Sequence, residues 1–469
     1  MIFNSKNTVN KEGFFTIDKK VKATAHSVLC NETVIDFWHS FCFNLSSLET
    51  VETNELIFKI GSAEALPLEG NEYSINITPK GVCVAGENEQ GLMHGFLTLI
   101  DRMVSESDKV VKLNCCEIKE SPLVKNRMVH YCIFPDTELW EFEKFVRFCC
   151  ALKYSHIVVE FWGMLRYDCM RELYWDHAFT KEQIAPIIQQ ANDLGVEIIP
   201  MFNHFGHAAA CRIMHGKHVV LDRAPELQYL FSPDGWCWNI KNSDVRELLA
   251  KIRRELCELC GNGKWFHIGL DEPFNFQFTE ENTQMVCDFI NEINRDIKSL
   301  GRRTIVWADM FLYYNPEYNK KNQYTANCPD EKTQNYMLAH LDKDILMGDW
   351  QYDCAHAPVE TSAVFTNAGF ECIICPWDRG TYKADACIDT LKAQNLFGVM
   401  HTTWHTLSWG TPHVVRIALQ CWGWEHDPTG RDYIENVAGA AEIMRKAYRV
   451  NGDYTKAGWA KYEVGVYVG

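Results

Sequence analysis

The chain has 469 residues, of which 47% are hydrophobic, and its formal net charge is −16. This length suits two to three domains, and the negative charge argues against nucleic acid or an anionic membrane as the main partner. No apolar run reaches the roughly 18 residues of a membrane helix, and the first residues lack the layout of a signal peptide. We therefore expect a cytoplasmic protein that does not bind membranes. Its oligomeric state is left open.

Twenty cysteines in so long a chain do not resemble a disulfide framework. They are typical of a reducing compartment, where a free cysteine behaves as a small buried hydrophobic residue. Two Cys-x-x-Cys pairs occur, Cys257/Cys260 in a helical pattern and Cys372/Cys375 in a strand-like run. A zinc site would need four converging ligands. We expect buried thiols here, and no metal or other cofactor.

The first 122 residues combine short alternating stretches with one clear helical pattern. Residues 73–86 predict two strands around a Pro-Lys-Gly turn, and residues 88–104 carry apolar side chains at helical spacing. We predict a small α+β domain over residues 1–122.

From residue 123 onward, apolar β-rich runs alternate with amphipathic helical patterns. The predicted strands are 128–134, 156–161, 196–202, 265–269, 304–307, 345–350, 371–375 and 398–402, and helices are predicted at 138–152, 181–194, 245–260, 280–300 and 384–394. Eight such alternations predict an α/β fold, a (β/α)₈ TIM barrel over residues 123–469 with a C-terminal helical segment. A doubly wound open sheet is the main alternative, but it would usually carry a Gly-rich nucleotide loop, which this sequence lacks.

Polar and aromatic residues follow most of the predicted strands, at the barrel end where active sites lie. They are Asn-His-Phe-Gly-His at 203–207, Asp-Glu at 271–272, Trp-Ala-Asp at 307–309, Asp-Trp-Gln-Tyr-Asp at 349–353, Pro-Trp-Asp-Arg-Gly at 376–380 and Thr-Thr-Trp-His-Thr at 402–406. Tryptophan suits sugars because an apolar sugar face stacks on its ring. Adjacent carboxylates after an apolar run are costly unless they are paired or used. The pattern indicates a sugar-processing site.

Four stretches resemble glycoside hydrolase family 20, the β-N-acetylhexosaminidases. Residues 267–272, His-Ile-Gly-Leu-Asp-Glu, resemble the family's His-x-Gly-Gly-Asp-Glu signature at strand 4. Residues 205–207, Phe-Gly-His, resemble its Pro-Gly-His after strand 3, and residues 125–131 resemble the entry to strand 1. Residues 86–103 look like the helix of the small domain that precedes the family's barrel.

The resemblance implies an exo-acting, retaining β-N-acetylhexosaminidase with substrate-assisted catalysis. In that mechanism the 2-acetamido oxygen of the substrate attacks the anomeric carbon and forms an oxazolinium intermediate. Glu272 would then protonate the leaving oxygen and later activate water. Asp271 would orient the acetamido group and offset the developing positive charge. The substrate would be a small oligosaccharide or glycoside.

The resemblance also implies a set of substrate-binding residues. Arg127 would bind sugar hydroxyls, and His207 would belong to the polar network near the acid. The remaining candidates would surround the acetamido group and the sugar ring: Trp307, Trp350, Trp404, Trp377 and Asp378, with Tyr352 as a stand-in for the family's acetamido-contacting Tyr.

Five positions depart from the family pattern. Leu270 replaces the second Gly of the signature, Phe205 replaces a Pro, and Asn203 replaces a supporting Asp. Cys132 stands where an Asp often follows strand 1, and Thr406 stands where a hydroxyl-binding Glu often follows strand 8. Three questions about the substrate therefore stay open. They are whether the sugar is GlcNAc or GalNAc, what the aglycone is, and whether a disaccharide or modified hexosamine is the true substrate.

Three other interpretations compete with this one. The Asp271-Glu272 pair, followed by Pro273, fits a helix start, where the helix dipole favours acidic side chains. His204 and His207 could form the metal pair of a metal-dependent hydrolase. A catalytically silent sugar-binding relative is the third, motivated by the altered sugar-reading positions.

Overall fold

The computed structural model describes residues 7–18, 23–41, 48–50, 55–107, 110–208, 220–317, 322–377, 381–404 and 407–423. The chain begins with a sheet domain. Its strands are β1 (Thr8–Asp18), β2 (Ala23–Ala25), β3 (Leu48–Thr50), β4 (Ile57–Gly61), β5 (Tyr73–Thr78), β6 (Gly81–Gly86), β7 (Val104–Ser107) and β8 (Val110–Glu120). They lie in the order β1-β8-β5-β6-β4-β2-β3, with β7 beside β8. All pairs are antiparallel except β2 and β3.

One helix covers this sheet, as its sequence predicted. Helix α2 (Glu89–Asp101) begins after Asn88, whose side chain accepts a hydrogen bond from the amide of Gly91 at 2.8 Å. A side-chain acceptor at this position satisfies one of the amides that a helix start leaves unpaired. Residues 91–100 of the helix are buried, so it packs firmly on β5 and β6. The predicted α+β character is confirmed.

Eight parallel strands close into a barrel. They are β9 (Asn126–Cys132), β10 (His156–Glu160), β11 (Glu197–Met201), β12 (Trp265–His267), β13 (Arg303–Trp307), β14 (Leu346–Trp350), β15 (Cys372–Cys375) and β16 (Gly398–Thr402). β16 pairs with β9 and completes the ring. The predicted TIM barrel is confirmed and the open sheet is excluded. The predicted 122/123 boundary falls between β8 and β9.

The other helices are α1 (Glu32–Phe41), α3 (Leu139–Ala151), α4 (Lys181–Asp193), α5 (Val220–Arg223), α6 (Ser243–Leu259), α7 (Glu280–Ser299), α8 (Glu331–His340), α9 (Thr361–Asn367), α10 (Thr381–Gln394) and α11 (Leu407–Cys421). The barrel interior is filled by alternate strand residues, among them Met128, Val158, Ile199, Ile305, Leu346, Ile373 and Met400. Strand side chains alternate between the two faces of the sheet. The last inward-facing residue of each strand therefore lies at the carboxyl end of the barrel. No helix among the described residues is long and apolar enough to cross a membrane.

The sheet domain meets the barrel through a buried polar cluster. The Tyr73 hydroxyl donates to Glu120 at 2.5 Å, and the Lys153 ammonium contacts the Thr98 hydroxyl. The same ammonium lies 4.5 Å from the centre of the Trp422 ring. Burial lowers the pKa of Lys153 to about 7. Since an unpaired buried charge is costly, these contacts fix how the two domains dock.

Candidate active site

The segment after β12 turns sharply. Gly269 has φ +68°, and a Cβ there would lie 2.8 Å from the Asn203 carboxamide, so this position requires glycine. Leu270 follows with φ 86° and Glu272 with φ 49°. These left-handed conformations are strained for residues with a side chain. Leu270 is fully buried, so packing holds the turn in place.

The turn after β11 packs directly against this segment. A Cβ on Gly206 would lie 2.0 Å from the Asp271 carbonyl oxygen, so the two backbones approach closely because residue 206 is glycine. The amide of His204 donates to the carbonyl of Ile268 at 2.9 Å. His207 adopts φ 55° at the end of the turn. The two turns together bring the His207 ring to the acidic pair.

His207 lies between the two carboxylates. Its Nε2 is 3.2 Å from Asp271 Oδ2 and 3.2 Å from Glu272 Oε2. Asn203 donates to the other oxygen of Asp271 at 3.1 Å. The side chain of Asp271 is only 6% exposed, whereas the side chain of Glu272 is 30% exposed. One carboxylate is therefore fixed by its neighbours, while the other keeps access to solvent.

A third carboxylate, Asp309, lies beneath this pair. It accepts hydrogen bonds from the Glu272 amide at 3.0 Å, from Asn327 at 2.7 Å and from the Trp350 indole at 2.9 Å. Burial, with the neighbouring Asp271 charge, raises the pKa of Asp309 to about 7. Asp309 thus holds both the backbone of Glu272 and the ring of Trp350 in place.

Aromatic rings form the wall beside the carboxylates. The Tyr352 ring lies 5.0 Å from Trp350 and 5.1 Å from Trp377, measured between ring centres. The Trp404 indole donates to the Tyr352 hydroxyl at 2.7 Å. Trp307 is fully buried, with its ring 5.8 Å from that of Trp404. The structure brings all five predicted aromatic residues together, and their sugar contacts stay a prediction.

Arg127 does not join this group, so its predicted sugar contact is wrong. It is the second residue of β9 and lies at the amino end of the barrel, in register with Val399 at the start of β16. Its guanidinium donates to the carbonyls of Lys153, Val124 and Lys125 at 2.8–3.0 Å. The side chain is 2% exposed. The predicted Asp378, and the departure at Thr406, lie outside the described residues.

The alternative interpretation of His204 and His207 as a metal pair is not supported. The His204 ring Nδ1 is 2.6 Å from its neighbour carbonyl at Phe202, and the ring is fully buried between phenylalanines. Burial holds its pKa well below the usual range. His207 instead contacts the carboxylates. The Cys-x-x-Cys pairs consist of free thiols, and burial raises the pKa of Cys260 to about 12.

Two residues that support Glu272 had been given no role from the sequence. The Trp236 indole donates to the Glu272 carbonyl at 2.6 Å, and its ring centre lies 4.5 Å from that of His207. Asn327 reaches Glu272 through Asp309. Trp236 belongs to an Asp-Gly-Trp-Cys-Trp run in the connection between β11 and β12. The Asp-Gly turn signal marks a loop, but only the fold shows which strand end it covers.

The barrel, the paired carboxylates at its carboxyl end and the aromatic wall define a hydrolase of the glycosidase class. Residues 162–408 match the family model for the glycosyl hydrolase family 20 catalytic domain. This match covers more than half of the 469 residues. The chain belongs to glycosyl hydrolase family 20, as the resemblance predicted, and it is a glycoside hydrolase.

Known proteins agree with this assignment at low identity. A β-hexosaminidase of Porphyromonas gingivalis is 24% identical in an alignment of 293 residues that covers 54% of this chain and 37% of that protein. A lacto-N-biosidase of Bifidobacterium bifidum is 19% identical in an alignment of 325 residues that covers 65% of this chain and 26% of that protein. The chain therefore matches only about a third of the first relative and a quarter of the second.

Solved structures share the fold. The exo β-N-acetylglucosaminidase of Vibrio harveyi, in complex with N-acetylglucosamine, superposes with a TM-score of 0.69 at 15% identity, over 95% of this chain and 76% of that one. The β-N-acetylhexosaminidase of Bacteroides fragilis gives 0.67 at 14% identity, over 94% of this chain and 95% of that one.

Proposed function

We propose that the chain is an exo-acting, retaining β-N-acetylhexosaminidase that removes terminal β-linked N-acetylhexosamine from small glycosides. Family membership supports hydrolysis of a glycosidic bond. The names of the similar proteins support N-acetylhexosamine as the sugar. Free thiols at the described cysteines support our further proposal of a reducing, cytoplasmic setting.

The observation that carries this proposal is the unequal pair of adjacent carboxylates. Glycosidases that use two separate carboxylates hold them about 5–10 Å apart across the scissile bond. Asp271 and Glu272 are neighbours in the chain and contact one imidazole, with His207 Nε2 3.2 Å from an oxygen of each. That arrangement suits substrate-assisted catalysis, which needs one acid/base and one carboxylate that holds the acetamido group.

In the first step the acetamido oxygen bonds to the anomeric carbon while the bond to the leaving oxygen breaks. Glu272, the exposed member, gives its proton to that oxygen. Asp271 accepts a hydrogen bond from the acetamido N–H and offsets the charge of the oxazolinium ion. In the second step Glu272 takes a proton from water, which attacks the anomeric carbon and reopens the ring with net retention.

The test compares wild type and Glu272→Gln on a chromogenic β-GlcNAc substrate, with an acetamido-thiazoline that mimics the oxazolinium. Wild type should turn over and be inhibited by the thiazoline. Glu272→Gln should lose roughly 10²–10⁴-fold in kcat, the usual contribution of general acid–base catalysis. Glu281→Gln, an exposed carboxylate in the first turn of α7, is the matched control and should keep wild-type rates.

A sugar-binding role without turnover is the second candidate, favoured by the departures from the family pattern at Asn203 and Cys132. Thiazoline binding by an inactive wild type would support that role and overturn hydrolysis of this substrate. Absence of both turnover and thiazoline binding would overturn both candidates.

A further inference from the structure

Three metal-binding side chains meet at the carboxyl end of β9 and β10. They are His130, Cys132 and Glu160, and among the described residues they form the one group of three or more His, Cys, Asp or Glu ligands close enough to share an ion. Cys132 and Glu160 are register partners at the ends of the two strands, and His130 is two residues earlier on the same face. This face also points into the barrel, since Met128 and Val158 do.

The distances fit the corners of a tetrahedron. His130 Nε2 is 3.6 Å from Glu160 Oε2 and 3.7 Å from the Cys132 sulfur, and that sulfur is 3.6 Å from the same carboxylate oxygen. A tetrahedral zinc with usual bond lengths to N, S and O separates its ligands by about 3.4–3.6 Å. The separation of imidazole and carboxylate exceeds a normal hydrogen bond. An ion at the centre would therefore need only small shifts of the side chains.

The surroundings favour a fixed site. All three residues are at most 2% exposed, and all three lie on paired barrel strands, which hold ligands more rigidly than loops do. Thiolate, imidazole and carboxylate are the donors that zinc prefers. Three protein ligands leave a fourth position for water, as in zinc sites that bind exchangeable ligands. The Asp that often occupies position 132 in the family would not supply the sulfur.

We propose that His130, Cys132 and Glu160 bind a thiophilic divalent cation of the zinc type beside the sugar pocket. Binding replaces the thiol proton of Cys132 with the metal and releases that proton to solvent. The His130 ring centre is 4.6 Å from that of Trp404, so the ion would lie next to the wall assigned to the sugar. A bound ion would therefore inhibit hydrolysis. This last step rests on the proposed function, whereas metal binding does not.

The experiment begins with the full chain, reduced, stripped with chelator and desalted. Zinc is titrated under reducing conditions, and bound metal is measured by elemental analysis after gel filtration. Cobalt is then used as a spectroscopic probe, because thiolate-bound cobalt has a ligand-to-metal charge-transfer absorption. Cys132→Ser and Glu160→Gln each remove one ligand. Cys375→Ser is the matched control, since Cys375 is equally buried at the end of β15, where its thiol donates to the Ile373 carbonyl of its own strand.

Wild type and Cys375→Ser should bind one tight zinc equivalent, and cobalt should give the charge-transfer band. Losing even an indirect partner of a metal costs 10–100-fold in affinity, so each ligand variant should weaken zinc by at least about 100-fold. Cys132→Ser should also lose the cobalt band. Equal stoichiometry and an equal band in Cys132→Ser, or no zinc bound by wild type, would overturn the proposal.

Kinetics separate this proposal from the proposed function. Zinc should inhibit turnover by wild type and spare Cys132→Ser at the same concentration. A wild type that binds zinc but has no activity leaves the metal site standing and counts against the hydrolase. Activity that is insensitive to a fully bound zinc overturns only the inhibitory step.

Discussion

The two ends of the barrel bury charge in opposite ways. At the amino end, hydrogen bonds to neutral groups satisfy the buried charges. Lys153 contacts Tyr73 and Thr98, and Tyr73 donates to Glu120. Arg127 donates to three backbone carbonyls. At the carboxyl end, Asp271 and Glu272 both contact His207, and both raise the pKa of the nearby Asp309 carboxyl. Crowding of like charge opposes folding and therefore marks a site kept for chemistry.

The sharpest test of this contrast is Asp271→Asn. The amide cannot offset a developing positive charge, and the loss of one such electrostatic partner costs about 10²–10³-fold in kcat. Steady-state kinetics on the chromogenic β-GlcNAc substrate give the value. Asp349→Asn is the control, because Asp349 is also buried near the pocket but bonds to Thr361, Ser362 and Gln351. Asp349→Asn should lower Tm and leave kcat unchanged. Similar losses of kcat in both variants would contradict a catalytic role that is specific to Asp271.

At the other end, Arg127→Met should act on stability. It leaves the buried carbonyls of Val124 and Lys153 without their donor, and each such group costs about 1–3 kcal/mol, so the free energy of unfolding should fall by about 2 kcal/mol or more. Urea unfolding gives this number. KM of the folded enzyme should stay within error of wild type. A raised KM with unchanged stability would indicate that Arg127 contacts the substrate.

Asp309 predicts a pH dependence of folding. Its folded pKa, about 7, is raised above the usual value of 3.8 by burial and by Asp271. The folded state therefore holds a proton that the unfolded chain releases, and this contribution is full below pH 3.8 and is lost as pH rises through 7. The free energy of unfolding should decline by about 2 kcal/mol or more between pH 4 and 7 from this group. Urea unfolding at several pH values across that range gives the free energy of unfolding as a function of pH. This dependence should be flatter for Asp309→Asn than for wild type, and an identical dependence in the two proteins would contradict the assignment.

The smallest effect concerns the aromatic wall. Trp404→Phe removes the indole that donates to Tyr352 and part of the stacking surface. Aromatic pairing is worth about 0.5–1.5 kcal/mol, so KM should rise roughly 3–10-fold. Trp265→Phe, at the amino end against Phe397 and Arg303, provides the control and should leave KM unchanged. Equal KM in both variants would remove Trp404 from the sugar wall.

The barrel could be predicted closely because its strands are short apolar runs between helical patterns. Observed strands begin or end within two residues of the predicted ones, and β16 matches fully. β9 begins two residues earlier, since the polar Asn126 and Arg127 extend its pairing with β16. β12 ends two residues earlier because Gly269 and Leu270 leave the extended conformation.

Much of the site could be predicted because active sites in such barrels lie at the carboxyl ends of the strands. This rule placed Asp271, Glu272 and the tryptophans at one end of the barrel. The assignment of Arg127 came from the resemblance instead, and it was wrong because Arg127 lies at the start of its strand. Trp236 and Asn327 were missed because they reach Glu272 from loops, and the sequence does not show which strand end a loop covers.

Leu270 has a consequence for how such proteins are recognised. The family signature has glycine at this position, yet here leucine adopts φ 86° with its side chain fully buried. The position therefore requires a left-handed backbone conformation. It accepts a residue other than glycine when the side chain is held by packing in the protein interior. A search that insists on the glycine would overlook chains of this kind. A search for two left-handed residues flanking a carboxylate, beside a buried apolar side chain, would find them.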